Sequence, residues 1–147
     1  MALINELQAQ MKTAMKAKDK ETLSVVRMLK AAVQNKQISL GHDLTEDDEK
    51  SVLATELKQR KDSLAEFKAA GRDDLVAQLE GEIKIVESYL PAQLDEAAVE
   101  SLVDSVIQET GATGKADFGK VMKTLMPKVK GQADGALVNR IVKAKLS

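Results

Sequence analysis

The sequence predicts an all-α protein, and three observations carry that prediction. Apolar residues recur at three- and four-residue steps along almost the whole chain. No segment alternates apolar and polar residues for long enough to form a strand. Gly, Pro, Asp and Thr stand where helices of that pattern would start and stop.

The first helix carries Leu3, Leu7, Met11 and Met15, with Ile4 and Ala14, on one face. Asp19 divides it from a second, whose stripe is Leu23, Val26, Leu29 and Val33. The Asp19 carboxylate can accept from unpaired amides of the turn that follows it. Gly41 to Thr45 reads as a loop, and Thr45 with Asp48 approximates a capping box. A third helix holds Leu53, Leu57, Leu64 and Phe67 and should stop near Gly71. The fourth carries Leu75, Leu79, Ile83, Val86 and Leu90. Gly81 inside it costs about 1 kcal/mol relative to Ala unless close packing uses its missing side chain. Pro91 closes it, because a residue before proline, here Leu90, is pushed out of the helical region.

Beyond Pro91, Asp95 caps a fifth helix with Val99, Leu102, Val103 and Val106 inward, ending around Gly111. A short sixth helix, with Phe118, Val121, Met122 and Leu125, should stop before Pro127. The seventh starts at Asp134 and carries Leu137, Val138, Ile141, Val142 and Leu146. Pro127, Gly131, Asp134 and Gly135 form the structural turn between these two, with Gln132 in its exposed loop. The expected organisation is an N-terminal helical domain, residues 1–92, and a C-terminal helical domain, residues 93–147. Residues 95–147 should fold alone, since each of the last three helices has a complete apolar stripe.

Bulk composition narrows the chemistry. A hydrophobic content of 44% suits a globular chain. The absence of cysteine excludes disulfides, thiolate zinc sites and a Cys nucleophile, and fits a reducing compartment. The segment Met1–Glu6 lacks a charged region followed by an apolar run, so no secretory signal is read there. No uninterrupted apolar stretch is long enough to span a bilayer, and no membrane partner is expected. The expected address is the cytoplasm.

The net charge of -1 conceals a strong asymmetry. Residues 1–36 hold seven Lys/Arg and three acids; residues 37–114 hold seven against eighteen; residues 115–147 hold eight against two. The two basic ends are where an anionic partner would dock. The alternative is that these bases are solvated helix faces balanced by the acidic middle.

Candidate catalytic groups are few. Gly114 to Lys120 matches the first seven positions of a phosphate-binding loop, but Val121 stands where Ser or Thr would hold magnesium, and no strand leads in. Gly119 is then expected to let its helix approach a neighbour closely. The serines lie mostly inside helical patterns, without a Gly-rich elbow. His42, the one histidine, sits in a polar loop and reads as solvated; no metal set and no cofactor site emerges. Acid pairs such as Asp47–Asp48 and Asp73–Asp74 fall in first turns, where negative charge suits the helix dipole. Met11, Met15, Met28, Met122 and Met126 read as core filler. What survives is the basic tail. Lys120, Lys123, Lys128, Lys130, Arg140 and Lys143 are separated by core positions and can neutralise phosphates from the outside. Aromatics are scarce and Phe67 and Phe118 read as buried, so a bound RNA would be gripped by backbone and shape.

Several short runs, spread over the chain, resemble one family. They include Arg27-Met28-Leu29-Lys30, Lys58-Gln59-Arg60, Ala70-Gly71-Arg72, Tyr89-Leu90-Pro91 and Gln93-Leu94. Gly119-Lys120-Val121-Met122, Met126-Pro127, Gly131 and Ala133-Asp134-Gly135 continue the pattern. Together they resemble the YqeY proteins, GatB/YqeY-type helical proteins related to the tail of the GatB subunit of glutamine-dependent aminoacyl-tRNA amidotransferase. The resemblance implies a helical hairpin module followed by a three-helix module. It also implies a link to carbon–nitrogen ligation with glutamine as amide donor, without the catalytic cradle. The expected role is a non-catalytic tRNA-binding module, or one associated with tRNA-amidotransferase or aminoacyl-tRNA machinery. The alternative is a protein–protein adaptor using the acidic middle segment. An amidotransferase-like enzyme acting alone lacks a visible nucleophile.

Overall fold

Short polar side chains and glycines set the helix boundaries. In the computed structural model, which describes residues 2–147, seven α-helices follow one another. They are α1 (Ala2–Ala17), α2 (Lys20–Leu40), α3 (Glu46–Ala69), α4 (Asp73–Glu87), α5 (Glu96–Thr110), α6 (Phe118–Val129) and α7 (Gly135–Leu146). A 3-10 turn at Lys115–Asp117 leads into α6. Among the described residues every regular element is helical. Met1, part of the segment read for a leader, lies outside them.

The caps form as their chemistry requires. Asp19 accepts from the Thr22 amide at 3.1 Å, and Asp95 from the Ala98 amide at 2.8 Å. Thr45 and Asp48 make the reciprocal box, at 3.0 and 3.1 Å. The Thr22 hydroxyl and amide hold the Asp19 carboxyl below its ordinary range, and the Thr45 amide does the same for Asp48. Gly41 and Gly111 end α2 and α5 in the left-handed conformation that a Cβ disfavours.

Two features of the last turn differ from expectation. Helix α6 runs through Pro127 to Val129 instead of stopping before it. Proline removes one i→i−4 bond, here to the carbonyl of exposed Lys123, while fully buried Val129 draws the final turn onto the core. Gln132 is half-buried rather than exposed: its carbonyl accepts from the Leu94 amide at 2.8 Å and its side chain donates to the Ala92 carbonyl at 3.2 Å. At the start of α7, Asp134 accepts from the Ala136 amide at 3.0 Å. Asp134→Ala should therefore cost about 1 kcal/mol in chemical denaturation. Gln132→Ala should cost about 0.5 kcal/mol, where an exposed loop residue would cost nothing.

The chain forms two compact units, the first ending at Leu90 and the second spanning Pro91–Ser147. In the first, α1 packs on α2 and α3 on α4, around buried Leu7, Val25, Val26, Leu29, Val33 and Val86. In the second, α5, α6 and α7 enclose Val99, Val103, Val106, Val121, Leu125, Val129, Val138 and Val142. Met15 and Met28, read as core filler, are instead 54% and 47% exposed. A helical step pattern fixes the direction of the apolar face but not how far the neighbours cover its edge. Gly81 does serve packing: the Glu21 carboxylate of α2 rests where a Cβ would project. Gly119 does not, because nothing lies near its missing side chain.

Candidate nucleic-acid interface

The basic tail separates into paired and unpaired cations. Helix α5 carries three acids that reach across to it. Glu109 meets Lys128 at 3.0 Å, Glu96 meets Arg140 at 3.3 Å, and Asp104 meets Lys145 at 3.2 Å. All six side chains face water, so each pair contributes at most about 1 kcal/mol and yields readily to a stronger anion. Their effect is local neutralisation.

Lys120, Lys123 and Lys130 enter no ion pair among the described residues. Lys120 and Lys123 are exposed and three residues apart on α6, on the face opposite Val121, Leu125 and Val129. Lys120 does help hold the Asp117 carboxyl low, at longer range. Lys130 caps the end of α6 and is half-buried. Lys143 places its ammonium 5.8 Å from the centre of the Phe118 ring. Phe118, expected in the core, is only half-buried.

The phosphate-loop pattern is closed to phosphate by its own aspartate. Asp117 accepts from the Thr113 amide at 2.9 Å, the main cause of its lowered pKa, and so stands where an anion would bind. Gly114 is in extended backbone that any residue adopts. His42 is exposed, its Nδ1 lying 2.7 Å from the Asp43 carbonyl. Among the described residues no three His, Cys, Asp or Glu converge to hold a metal ion. None of their helices is long and apolar enough to cross a membrane.

The turn that precedes α7 is built by a residue that sequence reasoning named without a role. The Gln93 side-chain amide donates to the Gly131 carbonyl at 2.7 Å and to the Pro91 carbonyl at 3.2 Å. Gly131 is buried, with φ at +77°, a conformation a side chain would strain. The Pro91-to-Leu94 segment and the turn through Gly131 and Gln132 are thus one clamp, which ties the start of this unit to the connection between α6 and α7; of the residues read as the structural turn, Pro127 lies inside α6 and Gly135 begins α7. In the first unit the residue likewise named without a role is Arg60, 5% exposed. Its guanidinium lies 2.8 Å from Glu56 and 3.4 Å from Glu82. Its position was the available signal, since Leu53, Leu57, Arg60 and Leu64 form one stripe.

These features define a class: a small all-α protein whose last three helices enclose their own core and segregate acids on α5 from bases on α6 and α7. The sequence profile of the Yqey-like proteins matches residues 4–146, and the chain belongs to the YqeY family. A Kluyveromyces lactis relative, Altered inheritance of mitochondria protein 41, mitochondrial, is 37% identical over 136 residues, covering 86% of this chain and 74% of its own length. The Saccharomyces cerevisiae protein of the same name is 32% identical over 152 residues, covering 97% and 82%. A Pyrenophora tritici-repentis counterpart is 28% identical over 134 residues, covering 89% and 73%. Those names overturn the expectation of a cytoplasmic address, since they describe mitochondrial proteins. The sequence signals behind that expectation were the reading of residues 1–6 and the absence of cysteine, and neither distinguishes one reducing compartment from another.

Proposed function

We propose that this protein is a non-catalytic docking module for folded RNA, with transfer RNA as the class that the kinship to the GatB tail suggests. Its partners would then be tRNA-amidotransferase or aminoacyl-tRNA machinery. One observation carries the reading: Lys120 and Lys123 form an exposed cationic face with no carboxylate ion-paired to it among the described residues. Lys128 and Arg140 can join when phosphate outcompetes Glu109 and Glu96. Such contacts position an RNA without reading its bases.

The test is a salt series with folded tRNA. Affinity should fall steeply as salt rises, by a slope of about 0.9 per neutralised phosphate in a duplex-like region. Joint reversal, Lys120→Glu with Lys123→Glu, should weaken binding uniformly across tRNA sequences and flatten that slope by about two. Reversing Lys12 and Lys16 should do less. Unchanged binding in the α6 double variant, or no binding by wild type, would remove the reading.

The adaptor alternative has one observation in its favour. A cleft of about 600 Å³ between α2 and α3 is lined by exposed Met28 on α2 and by Ser51, Thr55 and Glu56 of the acidic middle segment on α3. It predicts no salt-dependent tRNA binding near physiological ionic strength.

A further inference from the structure

The second unit holds a cavity that backbone docking does not use. It measures about 650 Å³ and is lined by Lys115, Phe118, Lys143, Ala144, Leu146 and Ser147. Its apolar lining includes the half-buried Phe118 and the buried Leu146. Its two charged side chains are both ammonium groups, and among the described residues the one carboxylate its lining can carry is the main-chain one of Ser147, which they outnumber. Asp117, the last residue of the 3-10 turn, is committed to the Thr113 amide. Lys143 already lies 5.8 Å from the centre of the ring, so cation and aromatic surface are presented together.

We infer that this cavity takes one unstacked nucleotide of a bound RNA, its base against Phe118 and its phosphate between Lys115 and Lys143. The inference rests on the RNA reading above and adds a contact to a base. An apolar ring beside two cations matches a ligand that is flat and aromatic at one end and anionic at the other. The volume lies in the range of ordinary small-molecule sites. A single platform accommodates one base, so the site favours a flipped or looped-out residue in a folded RNA over a continuous single strand.

The experiment is an NMR titration of the full chain with 5′-AMP, adenosine and inorganic phosphate, run beside tRNA binding. 5′-AMP should shift the Phe118 ring together with Lys115 and Lys143, whereas inorganic phosphate should shift the lysines alone. Phe118→Leu preserves apolar volume and should weaken both 5′-AMP and tRNA by about tenfold, the scale of one lost base stack. Should that variant unfold, Lys115→Gln with Lys143→Gln, both exposed, gives the second arm and should lose the response to phosphate. The inference fails if 5′-AMP leaves Phe118 unmoved while shifting residues elsewhere, or if folded Phe118→Leu binds tRNA like wild type. The RNA reading fails separately: its reporter is the Lys120/Lys123 reversal, which should lose tRNA and keep the 5′-AMP shifts. Wild type that binds no tRNA overturns the RNA source of the nucleotide as well.

Discussion

Arg60→Ala should destabilise the first unit by about 3–5 kcal/mol, the cost of leaving buried charge without its partner. Arg60 sits on the core side of α3 with its guanidinium beside two carboxylates that are themselves only 19% and 14% exposed. Toward Glu56 the contact is a well-formed charged hydrogen bond at 2.8 Å, joined by a bond to the Glu56 backbone carbonyl at 3.1 Å. Toward Glu82 it is different. The Arg60 Nε lies 3.4 Å from a carboxylate oxygen, close enough to attract it, yet aligned so poorly that Nε has no hydrogen-bond partner. Glu82 on α4 is therefore tied to α3 by charge more than by direction. Removing Arg60 strands two carboxylates in a low-dielectric site, and both α3 and α4 must adjust. Replacing all three, with Arg60→Met, Glu56→Gln and Glu82→Gln, should recover much of the loss, because nothing charged then stays buried. Urea unfolding of the single and triple variants decides the matter. A single variant within about 0.5 kcal/mol of wild type would show that water reaches this cluster and screens it.

The contrast between Arg60 and the helix caps explains what the sequence made legible. Asp19, Thr45, Asp48, Asp95 and Asp134 act on amides two or three residues away, so their roles follow from local spacing. The apolar stripes are equally local, and their buried members form the two cores. Pairing across helices is not. Lys128 and Arg140 read as free cations because Glu109 and Glu96 lie far away in sequence and become neighbours only when α5 packs on α6 and α7. The half-exposure of Phe118 and the closure of the Gly114–Lys120 loop by Asp117 depend on the same tertiary placement. The candidate site was thus legible as a set of bases, and illegible as a division between those already neutralised and those available to phosphate.

Cutting the chain at residue 95 should abolish the cooperative unfolding that a fragment of residues 91–147 retains. The apolar stripes of α5, α6 and α7 suggest that residues 95–147 suffice, but the Gln93 clamp argues otherwise. The shorter fragment loses the bond from Gln93 to the Gly131 carbonyl at 2.7 Å and the bond from the Leu94 amide to Gln132 at 2.8 Å. It also loses the Gln132 contact with Ala92 at 3.2 Å, and Leu94, which packs against the second core. Each hydrogen bond contributes about 0.5–1.5 kcal/mol, and the buried Gly131 carbonyl is left without its donor. Part-burial of Leu94 adds about 1–2 kcal/mol. Together these losses match the ~3–5 kcal/mol that a core of this size supplies. Thermal circular dichroism should show a sigmoidal transition for 91–147 and a sloping, non-cooperative change for 95–147. In the full chain Gln93→Ala, which removes only the clamp's side chain, should cost about 1–3 kcal/mol by the same accounting. A cooperative transition for 95–147 with the midpoint of the longer fragment would mean that the last three helices set their own crossing angles, and that the Gly131 turn needs no brace from Gln93.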